Sequence, residues 1–551
     1  MKKFLALFLA LITVLGLCAC TGGGGESGEL TADDYTADGR LKITIGITAS
    51  AKVLDYDENA YTKWIEETCG VELIFVEFAN ASDAVTQITT SVAAGEKLPD
   101  IIMLEGGMNR NLVTTYGDDD YFVNLGEYFA DKTGVSKNFW DRVESEQLSQ
   151  VNRDLVLNTM YEIDGESVYA VPSFETTVID FVASMPYINT VWLDKLNMEA
   201  PTNPQELLTV LRAFKNESWE GKPDKVIPML GSSKHPRLGY RVVEWIINFY
   251  TYHDNMNPVQ LNNGKVEFSF TQDGYREGVK FARQLIQEGL LYDPYNASTN
   301  DVALMANPTD GTATVGIVFG HLSQFNIKSE NDVIFQYEHL PTWGNAVMTQ
   351  PLVHMSKMIT TDCKEGKRDK AFEILMTMFS EEGSLRHRYG PKDTNWVEAD
   401  EGAKSPYGFD AQYKLLIDDF SQPGTNRWGI GGGFNYMAEG ETAQLTEDTP
   451  AHVVKKFEMF KKMIEDYNES AKNNPETILP ILQGTKAEQK QYGTAIDNID
   501  DRWPKALSEF LNGTKNINSD ADWNAYLTEL KELGMEDYLT YLQTVYDRTK
   551  K

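Results

Sequence analysis

The apolar positions alternate between two periods from residue 41 onward. The stretches "LKITIGI", "VELIFV" and "DIIML" are short apolar runs typical of strands, and residues 59–69 and 83–94 between them have helical spacing. The order is therefore β-α-β-α-β. Because right-handed crossovers place such strands side by side in a parallel sheet, we expect ligands at the carboxyl ends of the strands. In this sequence those ends are Thr48–Ser50 and Glu105–Gly107.

Helix boundaries later in the chain are marked by capping residues. In "APTNPQELLTVLRAFKN", Asn203 stands at the N-cap, Pro204 in the first turn and Glu206 at the third helical position. Residues 273–288 again have helical spacing, and "ATVGIVF" at 313–319 predicts a strand. The C-terminal third is mostly helical, and its last two predicted helices are "SDADWNAYLTELKEL" and "MEDYLTYLQTVYDR". The predicted fold class is α/β.

The N-terminal residues form an export signal. A positively charged start precedes the apolar stretch Phe4–Leu17, which is shorter than the roughly 20 residues that a membrane-spanning helix needs. The motif "LCAC" looks like a bacterial lipobox, because the small Ala19 precedes Cys20. We therefore predict that residues 1–19 are removed, that Cys20 carries a lipid, and that residues 20–39 are the anchor and a flexible linker. The alternative is an ordinary secretory signal with a chance cysteine.

Charge and cysteine content exclude several classes of protein. The 551-residue chain has a formal net charge of −32, and removal of the two lysines in the signal peptide brings the mature chain to about −34. Such a polyanion is not expected to bind nucleic acid or anionic lipid surfaces. Besides Cys20, the mature chain has Cys69 and Cys363, which are too few for a disulfide scaffold and wrongly spaced for a zinc site. Two isolated buried thiols are favoured, although the sequence leaves their pairing open.

The motifs of common catalytic and nucleotide-binding sites are absent. The sequence has no H-E-x-x-H, G-x-S-x-G, P-loop or C-x-x-C pattern. The EF-hand-like stretch "DYDENAYTKWIE" has Ala60 where a calcium loop needs glycine, so we predict no metal and no other cofactor. Glu105 and Glu175 each follow a strand-like run, where a carboxylate could bind hydroxyl groups or act in acid–base chemistry.

Several tryptophans are candidates for contact with a ligand. Trp343 in "HLPTWGN", Trp396 in "PKDTNW" and Trp428 in "NRWGIGGGFNY" lie in loop-like surroundings. A loop indole can offer its face to the C–H face of a sugar ring, or it can pack beneath its own loop, and both interpretations stay open. Tryptophans within helical patterns are instead predicted to lie in the core, namely Trp64, Trp192, Trp503 and Trp523.

Several stretches, taken in order, resemble the solute-binding lipoproteins of ABC transporters, in the oligosaccharide branch that includes relatives of maltose-binding protein. They are "TSVAAGEKLPDIIML", "DGESVYAVPSFETT", "INTVWLDKLNMEAPTNPQELLTVLRAFKN", "GYREGVKFARQLIQEGLLYDP", "KAFEILMTMFSEEG" and "WNAYLTELKELGMEDYLTYLQTVYDR". They cover nearly all of the mature chain, and the lipobox agrees with them. Many relatives have a calcium loop where this chain has "NESWEGKPDKVIP", which keeps only Glu220 and Asp224 as plausible ligands, so the resemblance does not change the prediction of no metal.

The resemblance implies a periplasmic-binding-protein fold of type II, with two α/β lobes joined by a three-segment hinge. Lobe one would comprise residues 40–172 and 345–395, and lobe two residues 173–344 and 396–551. The chain would cross between the lobes near "VPSFETT", "LPTWGN" and "YGPKDTNW".

The resemblance also implies ligand-binding residues. The first crossing would contribute Phe174 and Glu175, and Glu105 follows the strand that matches the family's P-D-I-I segment. His321 matches a cleft-facing segment of the other lobe. Trp428 lies where the family often has an aromatic platform.

The resulting expectation is a monomeric, non-catalytic receptor on the extracellular face of the bacterial cell membrane, with a diacylglycerol and palmitate anchor on Cys20. It would bind a carbohydrate and deliver it to the permease subunits of an ABC importer. One alternative is a charged solute held by Arg110 and Arg427. Another is a surface glycoside hydrolase, which would need the carboxyl groups of Glu105 and Glu175 roughly 5 to 9.5 Å apart.

Overall fold

The computed structural model describes most of the mature chain. The described residues are 29–144, 150–174, 184–217, 219, 226–232, 241–255, 257–294, 312–320, 333–345, 353–406, 408–416, 423–429, 443–446, 449, 451–472, 479, 482 and 484–550. The predicted signal peptide and Cys20 lie outside them. Within these ranges, no helix has the length and apolar character needed to cross a bilayer.

Strands and helices follow one another along the chain, and the longest helices lie toward its C-terminus. The strands are β1 Leu41–Thr48, β2 Val71–Phe78, β3 Ile101–Met108, β4 Val171–Phe174, β5 Pro186–Asn189, β6 Ile227–Leu230, β7 Val259–Asn262, β8 Lys265–Phe268, β9 Val315–Phe319, β10 Tyr337–His339, β11 Val353–Ile359, β12 Trp396–Glu398 and β13 Tyr413–Leu415. The helices are α1 Ala60–Cys69, α2 Ala81–Ala94, α3 Arg110–Asp118, α4 Gly126–Ala130, α5 Lys137–Val143, α6 Gln150–Met160, α7 Thr190–Leu196, α8 Pro204–Asn216, α9 Val242–Ile247, α10 Asp273–Gln287, α11 Glu365–Phe379, α12 Glu381–Tyr389, α13 Ala451–Lys472, α14 Lys486–Asn512, α15 Asp520–Glu532 and α16 Met535–Thr549.

Sheet A has the strand order β2-β1-β3-β11-β4. Strand β1 pairs in parallel with both β2 and β3, which confirms the predicted β-α-β-α-β order. Strand β11 comes from much later in the chain and lies antiparallel between β3 and β4, so the sheet is mixed. Helices cover both faces, with α1, α5 and α11 in one apolar cluster and α2 and α3 in the other. Sheet A and helices α1–α6, α11 and α12 together form what we call unit one.

Sheet B has the strand order β10-β5-β9-β6 and is also mixed. It shares one large apolar cluster with helices α7–α10 and α13–α16, and these elements together form what we call unit two. The two predicted C-terminal helices are confirmed as α15 and α16. Trp192, Trp503 and Trp523 are buried in this cluster as predicted, while Trp64 packs half-buried against unit one.

Local signals in the sequence explain where several helices begin and end. The side chain of Asn203 accepts hydrogen bonds from the backbone N–H groups of Gln205 and Glu206 at 3.1 and 3.0 Å, and Pro204 is the first helical residue of α8. Both features confirm the predicted helix start. Helix α2 ends at Gly95, whose φ of 66° lies in the left-handed region that glycine adopts without steric cost.

Trp396 and Trp428 both pack against elements of unit one. Trp396 in β12 shares a small apolar cluster with α12, and Trp428 lies in the core of unit one. Apolar contact with unit two resumes at Leu445 and continues through α13. Both indoles bury their surface against helices of unit one, a contact that chain order does not reveal.

The two described cysteines do not form a disulfide. Cys69 and Cys363 are both free and buried, which confirms the prediction of isolated thiols. Burial raises the pKa of both thiols, so they remain protonated near neutral pH.

Candidate functional site

The carboxyl edge of sheet A is formed by the ends of β1, β3 and β4 and by the start of β11. Phe174 at the end of β4 pairs with Val353 at the start of β11. Helix α3 begins at Arg110, immediately after β3. Residues that emerge at this edge therefore come from four separate parts of the chain, which is the usual arrangement of a ligand site in an open α/β sheet.

The carboxyl edge of sheet B is formed by the ends of β6, β9 and β10 and by the start of β5. Phe319, the last residue of β9, pairs with Pro186, the first residue of β5. His339, the last residue of β10, pairs with Tyr187. Trp343 follows β10 and therefore also lies at this edge.

Two short chain segments join these edges. Nine residues separate Phe174 from Ser184, and seven separate Asn345 from Val353. An extended chain advances at most about 3.6 Å per residue, so the joined ends lie within about 36 and 29 Å of each other. The space between the two carboxyl edges is the candidate site.

Phe174 and Trp396 are buried by neighbouring helices. The Phe174 ring is 3% exposed and lies 6.1 Å from Phe139 and 6.2 Å from Phe379, measured between centroids. Trp396 is also 3% exposed, and its indole N–H donates to the carbonyl oxygen of Gly390 at 2.9 Å. Neither ring has an exposed face in this structure, and stacking on a sugar requires one.

Trp428 and Arg427 lie against the carboxyl edge of sheet A, which we call the first edge, but their side chains point into unit one. The carboxyl edge of sheet B is the second edge. Trp428 is 4% exposed, and its indole N–H donates to Thr62 Oγ1 at 2.9 Å. Its ring meets Tyr61 edge-on, with centroids 5.1 Å apart. Arg427 is 4% exposed and donates from Nη1 to the carbonyl oxygen of Arg388 at 2.8 Å. Trp428, the predicted aromatic platform, and Arg427, the predicted clamp for a charged solute, are therefore both held by contacts within unit one.

Trp343 differs from these indoles because it is only half-buried. Its ring centroid lies 4.9 Å from that of Phe249 and 5.1 Å from that of Trp245. The backbone N–H and the hydroxyl of the preceding Thr342 both donate to Asp466 Oδ2 at 2.8 Å. Trp343 is therefore a partly accessible, firmly placed aromatic ring at the carboxyl edge of sheet B.

A cavity of about 160 Å³ lies between the two units beside α3. Unit one lines it with Arg110 and Glu162, and unit two with Thr485 and Gln489 at the start of α14. Arg110 Nη2 donates to the carbonyl oxygen of Tyr161 at 2.6 Å and lies 3.7 Å from Glu162 Oε1. The cavity is therefore lined by one guanidinium and by three carboxylates, those of Glu162, Asp118 and Asp164.

Burial shapes the electrostatics of this cavity. Loss of solvent lowers the pKa of Arg110 and raises the pKa of Glu162, and each shift is opposed by the charge of the other group. Arg110 Nη1 is buried and has no hydrogen-bond partner among the described residues. Such a group can donate to a ligand hydroxyl or to an anionic group.

Some of the predicted residues cannot be placed. The backbone of Glu105 lies in β3, but its side chain falls outside the described part of the structure. Glu175, His321 and Cys20 lie outside the described residues altogether. Their roles, and the carboxyl separation that the hydrolase alternative requires, stay predictions.

Two features of the site were not found from the sequence. Trp245 lies in the helical pattern of α9, which suggests an ordinary core residue. Glu162 lies in a turn after α6 and has no motif around it. Within the described ranges, no cluster of three His, Cys, Asp or Glu side chains could hold a metal ion.

Comparisons with known proteins address the fold of the whole chain. No family model matches it. The chain is similar to the fructooligosaccharide ABC transporter substrate-binding protein FusA of Streptococcus pneumoniae serotype 4 (strain ATCC BAA-334 / TIGR4). The two are 23% identical over an alignment of 589 residues, gaps included, and the alignment covers 99% of this chain and 98% of that protein.

Solved structures give the same result. The HMO-binding, ABC-transporter-associated solute-binding protein from Bifidobacterium longum infantis ATCC 15697 has a TM-score of 0.71 at 18% identity, covering 93% of this chain and 99% of that one. FusA of S. pneumoniae in complex with kestose has a TM-score of 0.65 at 19% identity, covering 92% of this chain and 99% of that one. These matches confirm the resemblance seen in the sequence: the chain has the fold of the solute-binding proteins of ABC transporters.

Proposed function

We propose that this protein is a non-catalytic receptor that binds an oligosaccharide outside the cell and delivers it to an ABC importer. The observation that carries this proposal is the pair of carboxyl edges joined by two short crossings, in a chain that matches sugar-binding proteins over nearly its whole length. One of these relatives, FusA, is named for fructooligosaccharides and has been solved in complex with kestose, and another is named for HMO binding. Each match is to a binding protein, which favours a receptor over a glycoside hydrolase.

The proposed binding mechanism is closure of two lobes around the sugar. Arg110 at the first edge would donate to hydroxyl groups, and the accessible part of Trp343 at the second edge would cover an apolar sugar face. A ligand that touches both edges stabilises the closed form, because closure is selected by differential contact. The permease would then recognise the closed form.

The lobe boundaries belong to the same proposal. The crossings would lie near "VPSFETT", "LPTWGN" and "YGPKDTNW". Support for the first two comes from the flanking strands, because the chain passes from sheet A to sheet B between Phe174 and Pro186 and returns to sheet A between His339 and Val353. Lipidation at Cys20 would keep the receptor at the outer face of the membrane, within reach of the permease. The lipid is tested by mass spectrometry of the mature N-terminus, where a Cys20→Ser variant should lack the acyl mass.

Calorimetry with a panel of oligosaccharides tests the function. The panel should include a fructan, a human-milk oligosaccharide, a mannose-rich glycan and an acidic alginate fragment. We expect micromolar or tighter binding of at least one neutral member, which corresponds to about −8 kcal/mol, with the ligand recovered intact. Shortened products would contradict the receptor, and absence of binding to every member would contradict the sugar ligand.

An acidic oligosaccharide is a second candidate, favoured by the buried Arg110 Nη1 that lacks a partner among the described residues. Binding of an anionic ligand should weaken steeply between low and high salt, whereas binding of a neutral sugar should change little. The alginate fragment and the fructan, titrated at two salt concentrations, distinguish these cases. An Arg110→Gln variant should lose most of the salt dependence if the guanidinium holds the anion.

A further inference from the structure

We propose that the indole N–H of Trp245 donates a hydrogen bond to a hydroxyl group of the sugar ring that packs against Trp343. This inference rests on the proposed function and adds one specific donor at the carboxyl edge of sheet B. The ligand class is a neutral sugar ring, with an apolar face for Trp343 and a hydroxyl at its rim for Trp245.

The position of Trp245 supports this role. Its ring centroid lies 5.1 Å from that of Phe319, the last residue of β9, so the indole is at the carboxyl edge of sheet B. On another side it lies 5.1 Å from Trp343, and Phe249 packs edge-on at 4.5 Å. Trp245 therefore packs directly against the ring on which the sugar is proposed to lie.

The second observation is an unpaired polar group. Trp245 is 1% exposed, yet its Nε1 has no hydrogen-bond partner among the described residues. A buried donor without a partner costs free energy, so such groups need an explanation such as a ligand or an ordered water. At a carboxyl edge that faces the predicted binding space, a ligand is the explanation that also accounts for the position.

Other buried indoles in this protein show that the fold can pair such groups. They donate at 2.9 to 3.1 Å to Phe129, Phe214, Gly390 and Thr62, and the donors are Trp140, Trp219, Trp396 and Trp428. Each of these pairs lies away from the carboxyl edge of sheet B. The unpaired N–H thus coincides with the place where a ligand is expected.

The two indoles are held rigidly relative to each other. The N–H of Asn345 donates to the carbonyl oxygen of Asn248 at 2.8 Å, which ties the Trp343 loop to the end of α9, the helix that carries Trp245. On the other side, Thr342 donates twice to Asp466. Because both rings are fixed before binding, little conformational entropy is lost when the sugar arrives.

The test compares two variants that each remove one indole N–H from unit two. Trp245→Phe should weaken the affinity for the tightest-binding panel oligosaccharide about tenfold, the usual loss for one buried hydrogen bond to a ligand. Its unfolding midpoint should fall less than that of Trp219→Phe, because both changes shrink a buried ring but only the change at Trp219 also breaks an internal hydrogen bond. Trp219→Phe is the matched control, since it breaks the bond to Phe214 and should lower the midpoint while leaving the affinity unchanged.

The outcomes separate this inference from the proposed function. If the wild type binds an oligosaccharide and Trp245→Phe binds it equally well, the inference is overturned while the receptor stands. If the wild type binds no member of the panel, both fail. A tenfold loss of affinity in both variants would indicate a general effect of disturbing unit two and would also overturn the inference.

A spectroscopic measurement on the wild type is independent of variant stability. The sequence has ten tryptophans, and labelling their indole nitrogens with 15N gives one N–H signal for each. The Trp245 signal, identified by its absence in Trp245→Phe, should move on saturation with the oligosaccharide, together with that of Trp343. The Trp219 signal should not move. An unmoved Trp245 signal at saturation would overturn the inference.

Discussion

The aromatic clusters at the two carboxyl edges differ in what their tryptophans can contact. At the first edge Trp428 is 4% exposed and donates its N–H to Thr62. At the second edge Trp343 is half-buried, and the N–H of the adjoining Trp245 has no partner among the described residues. The Trp428 indole is paired without a ligand, although the hydroxyl of the neighbouring Tyr61 is buried and has no partner among the described residues, whereas the second cluster leaves both a ring surface and an indole donor for a ligand.

This difference shows that a loop position alone does not identify a ligand-binding tryptophan. Trp343 and Trp428 both lie in glycine-containing loops, and their sequence surroundings look alike. Their neighbours in space decide the outcome, because Trp428 is buried among Tyr56, Tyr61 and Phe75, while Trp343 packs against Phe249 and Trp245 and stays half-buried. Changes at Trp428 should therefore mainly lower stability, whereas changes at Trp343 should mainly weaken binding.

The largest effect is expected from truncation of Trp428. A Trp428→Ala change removes a fully buried indole and leaves a cavity, so we expect a loss of about 3 to 5 kcal/mol in the free energy of unfolding. Trp343→Ala exposes little new core and should cost less than about 2 kcal/mol, while weakening oligosaccharide binding. Urea unfolding followed by circular dichroism measures the first effect and calorimetry the second.

The comparison would fail if these roles were exchanged. A Trp428→Ala protein with wild-type stability and no sugar binding would place the ligand platform at the first edge. Trp428→Phe serves as a control that keeps the ring volume largely filled. It should lose about 1 kcal/mol through the bond to Thr62.

The pH dependence of stability provides a second contrast, beginning with His387 in the first cluster. Its ring lies 5.5 Å from Tyr61 and 6.3 Å from Trp428 between centroids. Burial, helped by the positive charges of Lys357 and Arg388, lowers the pKa of His387 to about 3. An unfolded histidine titrates near pH 6.5, so the unfolded chain takes up the proton first.

Stability from His387 is therefore complete above about pH 6.5 and is lost as the pH falls toward 3. By pH 5 the loss should be about 2 kcal/mol. Urea midpoints at pH 7 and pH 5 measure it, and His387→Phe should reduce the difference between the two midpoints. An unchanged difference in that variant would show that His387 does not titrate on unfolding.

Glu244 in unit two should give the opposite slope. It is buried beside Arg241 and Asp254, and burial raises the pKa of its carboxyl group to about 7, against the opposing charge of Arg241. The folded protein therefore holds this proton more tightly than the unfolded chain, so stability is present below about pH 4.5 and is lost as the pH rises through 7. The shift is smaller than that of His387. Glu244→Gln should flatten the decline between pH 5 and 8, and a variant that keeps the wild-type slope would contradict the assignment.

The parts of the fold that the sequence predicted are those with local causes. The capping of α8 by Asn203 and the end of α2 at Gly95 depend on residues within a few positions. The parallel arrangement of β1, β2 and β3 follows from short crossovers with a fixed hand. Neighbouring residues were therefore sufficient to predict these features.

Contacts between distant parts of the chain could not be predicted in the same way. The partner of Trp428 is Thr62, 366 residues earlier, and no local pattern links them. Strand β11 enters sheet A between β3 and β4 by the same kind of long-range pairing. The sequence did not identify Trp245 as a candidate site residue, because a helical pattern indicates that a side chain is buried but not whether its N–H has a hydrogen-bond partner. Candidate site residues could be proposed from the sequence, but their exposure could not.

A smaller effect is expected at Gly344, which follows Trp343. Its φ of 68° lies in the left-handed region, and a Cβ there would lie 2.6 Å from the carbonyl oxygen of Asn248. Gly344→Ala should cost about 1 to 2 kcal/mol and displace the Trp343 loop, so the affinity for sugar should fall as well. Gly402→Ala is a control with a similar φ of 75° and open space around it, and it should lower stability without changing affinity. Equal affinities in the two variants would mean that the loop position does not matter for binding.

The smallest effect on stability, and the clearest separation of stability from binding, is expected at Asp466 in α13. Its Oδ2 accepts hydrogen bonds from the backbone N–H and hydroxyl of Thr342 at 2.8 Å and lies 3.1 Å from His339 Nε2, so one carboxylate fixes the start of the Trp343 loop. Asp466→Asn keeps an acceptor oxygen but loses the charge, and the carboxylate is 22% exposed, so the loss of stability should be about 1 kcal/mol. The affinity should fall more than this value suggests, because a loop released on one side must be ordered again when the sugar binds. Calorimetry would show this as a more unfavourable binding entropy. Trp428→Phe changes only the buried cluster around Trp428, so it should not alter the binding entropy.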